Sequence, residues 1–331
     1  MLRNETTGAP DRAAAALKGL RAYQQAPRAR GLAPMPVIAR AGRAALRDYG
    51  GSGPPILFVP SLINPPDVLD LDADRSLLRW LADQGVRPLL IDWGTPDPQQ
   101  AGLSMAGHVE TMLLPLIAAV GAPVTLAGYC LGGTMAVAAA ALAPTVTRLA
   151  LIATPWRFQA YPDQTRDALA DLWHQAEPAS AAIGLLPMEV LQTAFWRLDP
   201  GRTVDKYVRF GTLDPADPAT QAFVRLEDWA NDGPPLTHGA ARELFEDLFA
   251  QDLPGRGRWT VSGRAIDPAA LHIPTFEITS TSDRIVPAPT TPGLGARLDL
   301  ALGHVGMIVG SRARDAVWRP LAAWLSQGDR G

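Results

Sequence analysis

Cysteine occurs once in these 331 residues. A single thiol forms no internal disulfide, and a reactive one survives best in a reducing compartment, so the chain is expected to work in the cytoplasm. Long apolar runs are missing as well. The best candidate, Met135 to Ala143, is mostly alanine and about half the length at which a membrane span becomes credible. Neither sign of charge dominates. The formal net charge is -3, and arginines interleaved with acids read as a solvated surface, which leaves no case for nucleic acid as a partner. No His, Cys or carboxylate cluster has metal-ligand spacing, so no metal is expected. The first residues carry Arg3, Glu5 and Asp11 without an apolar stretch behind them, unlike a secretory signal.

What is present is enough apolar residue, 47%, to bury one large core or one core with an inserted cap. Residues 1–49 are rich in Ala and Arg. Their apolar positions Leu17, Leu20, Tyr23, Val37, Ile38 and Leu46 are spaced as on one or two helices outside a sheet. Pro27, Pro34 and Pro36 interrupt them, because proline cannot continue a helix interior. From Gly50 the pattern changes. Ile56 to Val59, Pro88 to Ile91, Val124 to Ala127 and Leu149 to Ala153 look like buried parallel strands with helices between them. That alternation predicts a doubly wound α/β sheet. It stops after Thr154, where strand signals nearly vanish and aromatics accumulate, and it resumes with Pro274 to Ile278 and Leu298 to Ala301. The expected organisation is an N-terminal helical segment over 1–49, a core made of 50–154 and 268–331, and a helical cap inserted over 155–267.

The lone cysteine sits in Gly128-Tyr129-Cys130-Leu131-Gly132, between a strand pattern and an alanine-rich helix pattern. A strand, a tight turn with glycines two residues to either side, and a helix push the central side chain into an exposed, strained position, as in a nucleophile elbow. The competing assignment is a small buried apolar cysteine. The order of strand, turn glycines and helix favours the nucleophile.

A thiol nucleophile needs a base, and the base needs a carboxylate to hold it; in elbow folds they follow in the order nucleophile, acid, histidine. Asp283 comes directly after the penultimate strand pattern, though Asp beside Ser is also ordinary turn chemistry. His304, in Gly303-His304-Val305-Gly306, follows the last strand and precedes the last helix. The other four histidines, His108, His174, His238 and His272, fall where structural or surface roles are expected. An oxyanion hole needs two backbone N–H donors. Leu131 supplies one, and Ile63 in Pro60-Ser61-Leu62-Ile63-Asn64 is the choice for the second, to within one residue.

Several blocks together resemble the polyhydroxyalkanoate synthases, and the short class III type in particular. They are Pro60-Ser61-Leu62-Ile63-Asn64, Leu69-Asp70-Leu71, Asp74-Arg75-Ser76-Leu77, Leu90-Ile91-Asp92-Trp93-Gly94, Gly128 to Gly133, Leu226-Glu227-Asp228-Trp229, Asp283-Arg284-Ile285-Val286-Pro287 and Gly303-His304-Val305-Gly306. The resemblance implies an α/β-hydrolase fold with a helical cap. It implies an acyltransferase that moves 3-hydroxyacyl groups from coenzyme A thioesters through an acyl-Cys130 intermediate to a growing polyester. Cys130 would be the nucleophile, His304 the base and Asp283 its partner. Coenzyme A thioester would be substrate, with no resident cofactor. By analogy the protein would have an activating partner subunit or form a homodimer, and would associate with polyester granules. Trp196 and Trp229 are candidates to line the acyl channel.

Three places depart from the family pattern. Trp156-Arg157 follows Thr154-Pro155 where an acid is expected, Arg284 stands where histidine is frequent, and Met307-Ile308 replaces an aromatic. They leave open a thioesterase or polyester hydrolase using the same triad. A non-catalytic granule protein is disfavoured, because a scaffold has no need to retain Cys130, Asp283 and His304 together.

Overall fold

The computed structural model describes residues 5–28, 31–198 and 200–327. Eight strands form one sheet: β1 Val37–Ala41, β2 Ala44–Asp48, β3 Pro55–Val59, β4 Arg87–Asp92, β5 Val124–Tyr129, β6 Val146–Ile152, β7 Thr275–Ser280 and β8 Ala296–Leu300. Their spatial order is β1-β2-β4-β3-β5-β6-β7-β8. All pairings from β4 through β8 are parallel, while β2 runs antiparallel to both neighbours. The middle strands are buried on both faces, with Ile56, Leu57, Phe58 and Val59 at most 1% exposed, which explains their unbroken apolar runs.

The N-terminal segment corrects the helical expectation over 1–49. A helix, α1 (Pro10–Gln25), does lie outside the sheet, but Val37, Ile38 and Leu46 belong to the β1–β2 hairpin. Exposure alternates along β1 with a period of two, a strand signature that five residues carry too briefly to outweigh a helical spacing drawn across forty. The connection is a two-residue turn with Gly42 at φ 56° in its first position, a conformation that suits glycine and the strand twist. Residues 1–4 and 29–30 of the segment lie outside the described residues.

Helices cover both faces. Ser76 caps α2 (Leu77–Asp83) by accepting the Arg79 amide at 3.0 Å. A third helix, α3 (105–119), carries a π-turn at Val109–Leu113, and α4 (Leu131–Leu142) follows β5 directly. Between β6 and β7 the chain leaves the sheet for α5 (Asp163–Ile183), α6 (Met188–Leu198), α7 (Pro200–Phe210), α8 (Pro218–Asn231) and α9 (238–250). Only two-residue ladders, Leu185–Leu186 with Leu236–Thr237 and Thr260–Val261 with Arg264–Ala265, interrupt this run among the described residues. The short α10 (Gly306–Val309) and the closing α11 (314–326) complete the chain.

Many aromatics of the insertion pack on one another. Phe210 and Phe223 stack at 4.4 Å with Tyr23 of α1 edge-on, and Trp173 stacks on Phe245 at 5.2 Å. The α1–α7 crossing is close because neither side has a side chain in the way. A Cβ on Gly19 would lie 1.8 Å from the Tyr207 carbonyl oxygen and 3.1 Å from the Gly211 nitrogen.

Candidate active site

The sheet register places three loops around one point. Val59 pairs with Gly128, Tyr129 with Ile152, and Ile152 with Ile278. The loops leaving β3, β5 and β7 therefore emerge side by side at the carboxyl edge, where doubly wound sheets bind ligands. Cys130 occupies the turn between β5 and α4 at φ 56°, ψ −133°, a backbone region that costs an L-residue about 1–3 kcal/mol. The turn is tied at both ends. The Cys130 amide donates to Ile152 O at 3.0 Å, and the Cys130 carbonyl accepts the Gly133 amide at 2.8 Å.

Gly132 explains how α4 sits so close beneath the sheet edge. A Cβ there would lie 2.1 Å from Val59 O and 2.5 Å from Pro60 O, so β3 or α4 would have to move. Gly132→Ala is expected to lower unfolding free energy by roughly 3 kcal/mol or more, read as a drop in the urea midpoint at unchanged slope. A midpoint within experimental error of the wild type would mean the helix slides freely on the strand ends.

Asp283 lies just past β7 and serves two purposes at once. One oxygen, Oδ1, accepts the Ile285 and Val286 amides at 2.8 and 3.0 Å, while Oδ2 lies 2.7 Å from His304 Nδ1. The turn-forming and partner assignments are thus compatible. The Asp283 side chain is fully shielded and that of His304 is 7% exposed. His304 lines the same cavity as Cys130, so the structure brings Cys130, His304 and Asp283 together at one site. Burial pulls the His304 pKa down, but the negative charges of Asp283 and Cys130 outweigh it and raise the imidazole to about 10.

Tyr129 was not singled out by sequence. Its ring stacks on His304 with centroids 5.0 Å apart and planes 25° apart, and its hydroxyl donates to the His304 carbonyl at 3.4 Å. The only available signal was its position before Cys130.

Leu131 opens α4, so its amide is one of those a helix leaves without an internal partner. The Ile63 amide donates to Ser61 Oγ at 3.2 Å. In this structure it is engaged by that hydroxyl, within its own loop, beside the Cys130 cavity.

Two cavities meet at Cys130. One, of about 210 Å³, is lined on its polar side by Asn64, Gln192, Lys206 and Asn231, and it also contains Trp196 and Trp229. Trp229 is anchored by its indole N–H to Pro65 O at 2.9 Å, whereas Trp196 is 37% exposed. The other, of about 80 Å³, is almost wholly apolar, with Phe158, Tyr161, Leu191, Phe245 and Phe249 in its wall.

The remaining histidines do other work where bonds are seen. His108 is buried between Arg43 and the Ser104 carbonyl, and burial lowers its pKa to about 4. His238 meets Ser180 and stacks near Trp173. Among the described residues no group of His, Cys, Asp and Glu could hold a metal ion. The unusual Trp156 is buried against Trp259, and Arg157 donates to Pro292 O at 2.8 Å.

A strained residue after the fifth strand, with a carboxylate and a histidine following the seventh and eighth, is the arrangement of an α/β-hydrolase fold, here with cysteine at the strained position. The solved structure of Paleococcus ferrophilus monoacylglycerol lipase shares that fold, with a TM-score of 0.51 and 14% identity over 85% of this chain and 98% of that one. The Rv0554 protein of Mycobacterium tuberculosis does so too, with a TM-score of 0.51 and 17% identity over 87% and 98%.

In sequence the chain is similar to curated proteins named poly(3-hydroxyalkanoate) polymerase subunit PhaC. It is 29% identical to that of Haloferax mediterranei over 292 residues, covering 82% of this chain and 58% of the relative. With the Allochromatium vinosum protein it shares 28% over 291 residues, covering 82% and 81%. The chain thus spans 58% and 62% of the Haloferax and Haloarcula marismortui relatives, and about four-fifths of the Allochromatium one. No family model matches the chain.

Proposed function

We propose that this chain is an acyltransferase of the polyhydroxyalkanoate synthase type, taking a 3-hydroxyacyl group from a coenzyme A thioester onto Cys130 and passing it to the hydroxyl of a growing polyester. The observation that carries this reading is a thiol in a strained elbow, sharing its cavity with a histidine that a buried carboxylate holds. The names of the relatives support it.

In the first step Cys130 Sγ, as thiolate, attacks the thioester carbonyl carbon. The oxyanion that forms faces the Leu131 amide and the Ile63 amide, which exchanges its 3.2 Å bond to Ser61 Oγ for the stronger charged acceptor. Collapse breaks the bond to the coenzyme sulfur, which leaves with the proton held by His304. In the second step a hydroxyl attacks the acyl-Cys130 carbonyl, now-neutral His304 takes its proton, and the Cys130–acyl bond breaks to give an ester and the resting thiolate–imidazolium pair. Sulfur suits both steps. Thioester exchange is close to thermoneutral, thiolate is both a strong nucleophile and a good leaving group, and transfer to oxygen runs downhill.

Coenzyme A is a substrate here and not a resident cofactor. A homodimer or an activating subunit, and attachment to polyester granules, belong to the same reading, and the relatives' designation as subunits supports the former. No helix among the described residues is long and apolar enough to cross a membrane.

A second reading, a thioesterase or polyester hydrolase with the same triad, is favoured by Asn64, Gln192 and Asn231 around the cavity, which offer hydrogen bonds to water. Incubation with 3-hydroxybutyryl-CoA, with the product identified by mass, separates the two. Polymer is the expected product. Free 3-hydroxybutyrate released at the rate of coenzyme A would establish the hydrolase instead.

A further inference from the structure

Beyond His304 lies a groove of about 710 Å³ that shares Phe195, Thr203, Lys206, Ile285, His304 and Val305 with the Cys130 cavity. Its three cations are Lys206, Arg209 and Arg284, and its three carboxylates already have cations of their own. Asp205 is bound by Arg12 at 2.7 Å, Glu227 by Lys206 at 2.7 Å, and Asp283 by His304. Arg209 and Arg284 are exposed. Arg209 makes no ion pair or side-chain hydrogen bond among the described residues, so the groove presents surplus positive charge at its solvent side.

The opposite flank is reversed in sign. Past Trp229 and Pro65, which wall the Cys130 cavity on that side, a cavity of about 480 Å³ is lined by Asp67, Asp70, Asp92, Asp228 and Asp232 with Arg47 and Arg225; Asp70, Asp92 and Asp228 are paired with Arg79, Arg47 and Arg28, and Asp67 and Asp232 lie outside those ion pairs. Burial, and then the charges of Asp92 and Asp70, raise the Asp67 pKa, an independent sign of crowded negative charge. A polyanion approaching Cys130 is therefore attracted from one side and repelled from the other.

We propose that the groove lined by Lys206, Arg209 and Arg284 is the entrance for the coenzyme A thioester, with Arg209 and Arg284 binding the phosphates of the carrier while its thioester reaches Cys130 past His304. The uncharged polyester then occupies the Trp196 and Trp229 side. This rests on the acyltransferase reading and adds to it a direction of entry. Arg284 is also one of the departures from the family pattern, so the groove's charge is a feature of this chain.

The test compares two thioesters of one acyl group, 3-hydroxybutyryl-CoA and 3-hydroxybutyryl-N-acetylcysteamine, which carries no phosphate. The readout is the ratio of their kcat/KM values. Arg209→Glu is expected to lower that ratio at least about tenfold, the worth of a charge-assisted contact, and Arg209→Lys should retain most of it. The wild-type ratio should also fall as salt is raised. A ratio unchanged in Arg209→Glu, or one that rises in Asp232→Asn while Arg209→Glu has no effect, would overturn the proposal. Release of thiol from neither ester by the wild type would instead overturn the acyltransferase reading beneath it.

Discussion

Cys130→Ala is expected to remove coenzyme A release from 3-hydroxybutyryl-CoA, with a fall in kcat of at least about 10⁴-fold. Deleting the nucleophile of such a chain leaves only oxyanion stabilisation and binding, which are worth little without a group to acylate. The size of the expected loss follows from how completely the site depends on Sγ. Cys130 lines both the polar and the apolar cavity, directly precedes the first amide of α4 and shares the polar cavity with His304. Cys130→Ser is the sharper comparison. It keeps the turn and the volume, but an alcohol titrates far above a thiol and depends on a general base for every attack. The serine variant should lose about 10²–10⁴-fold, the range of a general-base contribution. Single-turnover release, with acyl-enzyme trapped for mass measurement, checks both. Wild-type rates in Cys130→Ala would refute a covalent route through this residue.

The elbow was legible because its signal is local. Glycines at 128 and 132 bracket Cys130 within five residues, and a strand and a helix abut it, so one window holds the whole motif. Asp283 and His304 were legible from order along the chain, each following a short strand, Thr275–Ser280 and Ala296–Leu300. The β1–β2 hairpin was not. Its strands have five residues each, and one is half exposed with Arg40 and Ile38 outward, so neither a buried run nor a long alternation marks it.

The electrostatic asymmetry could not have been read from sequence at all. Arg209 and Arg284 are separated by 75 positions and the cap's α8 and α9, yet they line one groove. Along the chain they are indistinguishable from the other interleaved arginines. The same holds for Ser61, whose hydroxyl occupies the Ile63 amide. A loop sequence names its donors, but only three dimensions say which acceptor each one has found.

Asp283→Asn is expected to cost about 10⁴ in kcat at neutral pH, the loss typical of a buried carboxylate that orients and stabilises an imidazolium. The shape is close to isosteric, so the deficit would be electrostatic. In the wild type, burial disfavours charged His304, and Asp283 together with Cys130 overcomes it to reach a pKa of about 10. With a neutral amide in place of the acid, burial gains weight and the imidazole pKa must fall. The sign for stability follows from linkage. A histidine whose folded pKa lies above its unfolded value of about 6.5 contributes stabilisation in full below that value and loses it as pH rises toward 10. Wild-type stability should therefore decline between pH 6.5 and 10 from this group, and the decline should shrink in Asp283→Asn. Denaturant melts at several pH values, alongside single-turnover acylation, measure the two effects on one protein. If the variant keeps the wild-type slope while losing activity, the carboxylate acts on geometry alone. If both slope and activity change, the same 2.7 Å contact between Asp283 and His304 that stabilises the fold also charges the catalytic pair.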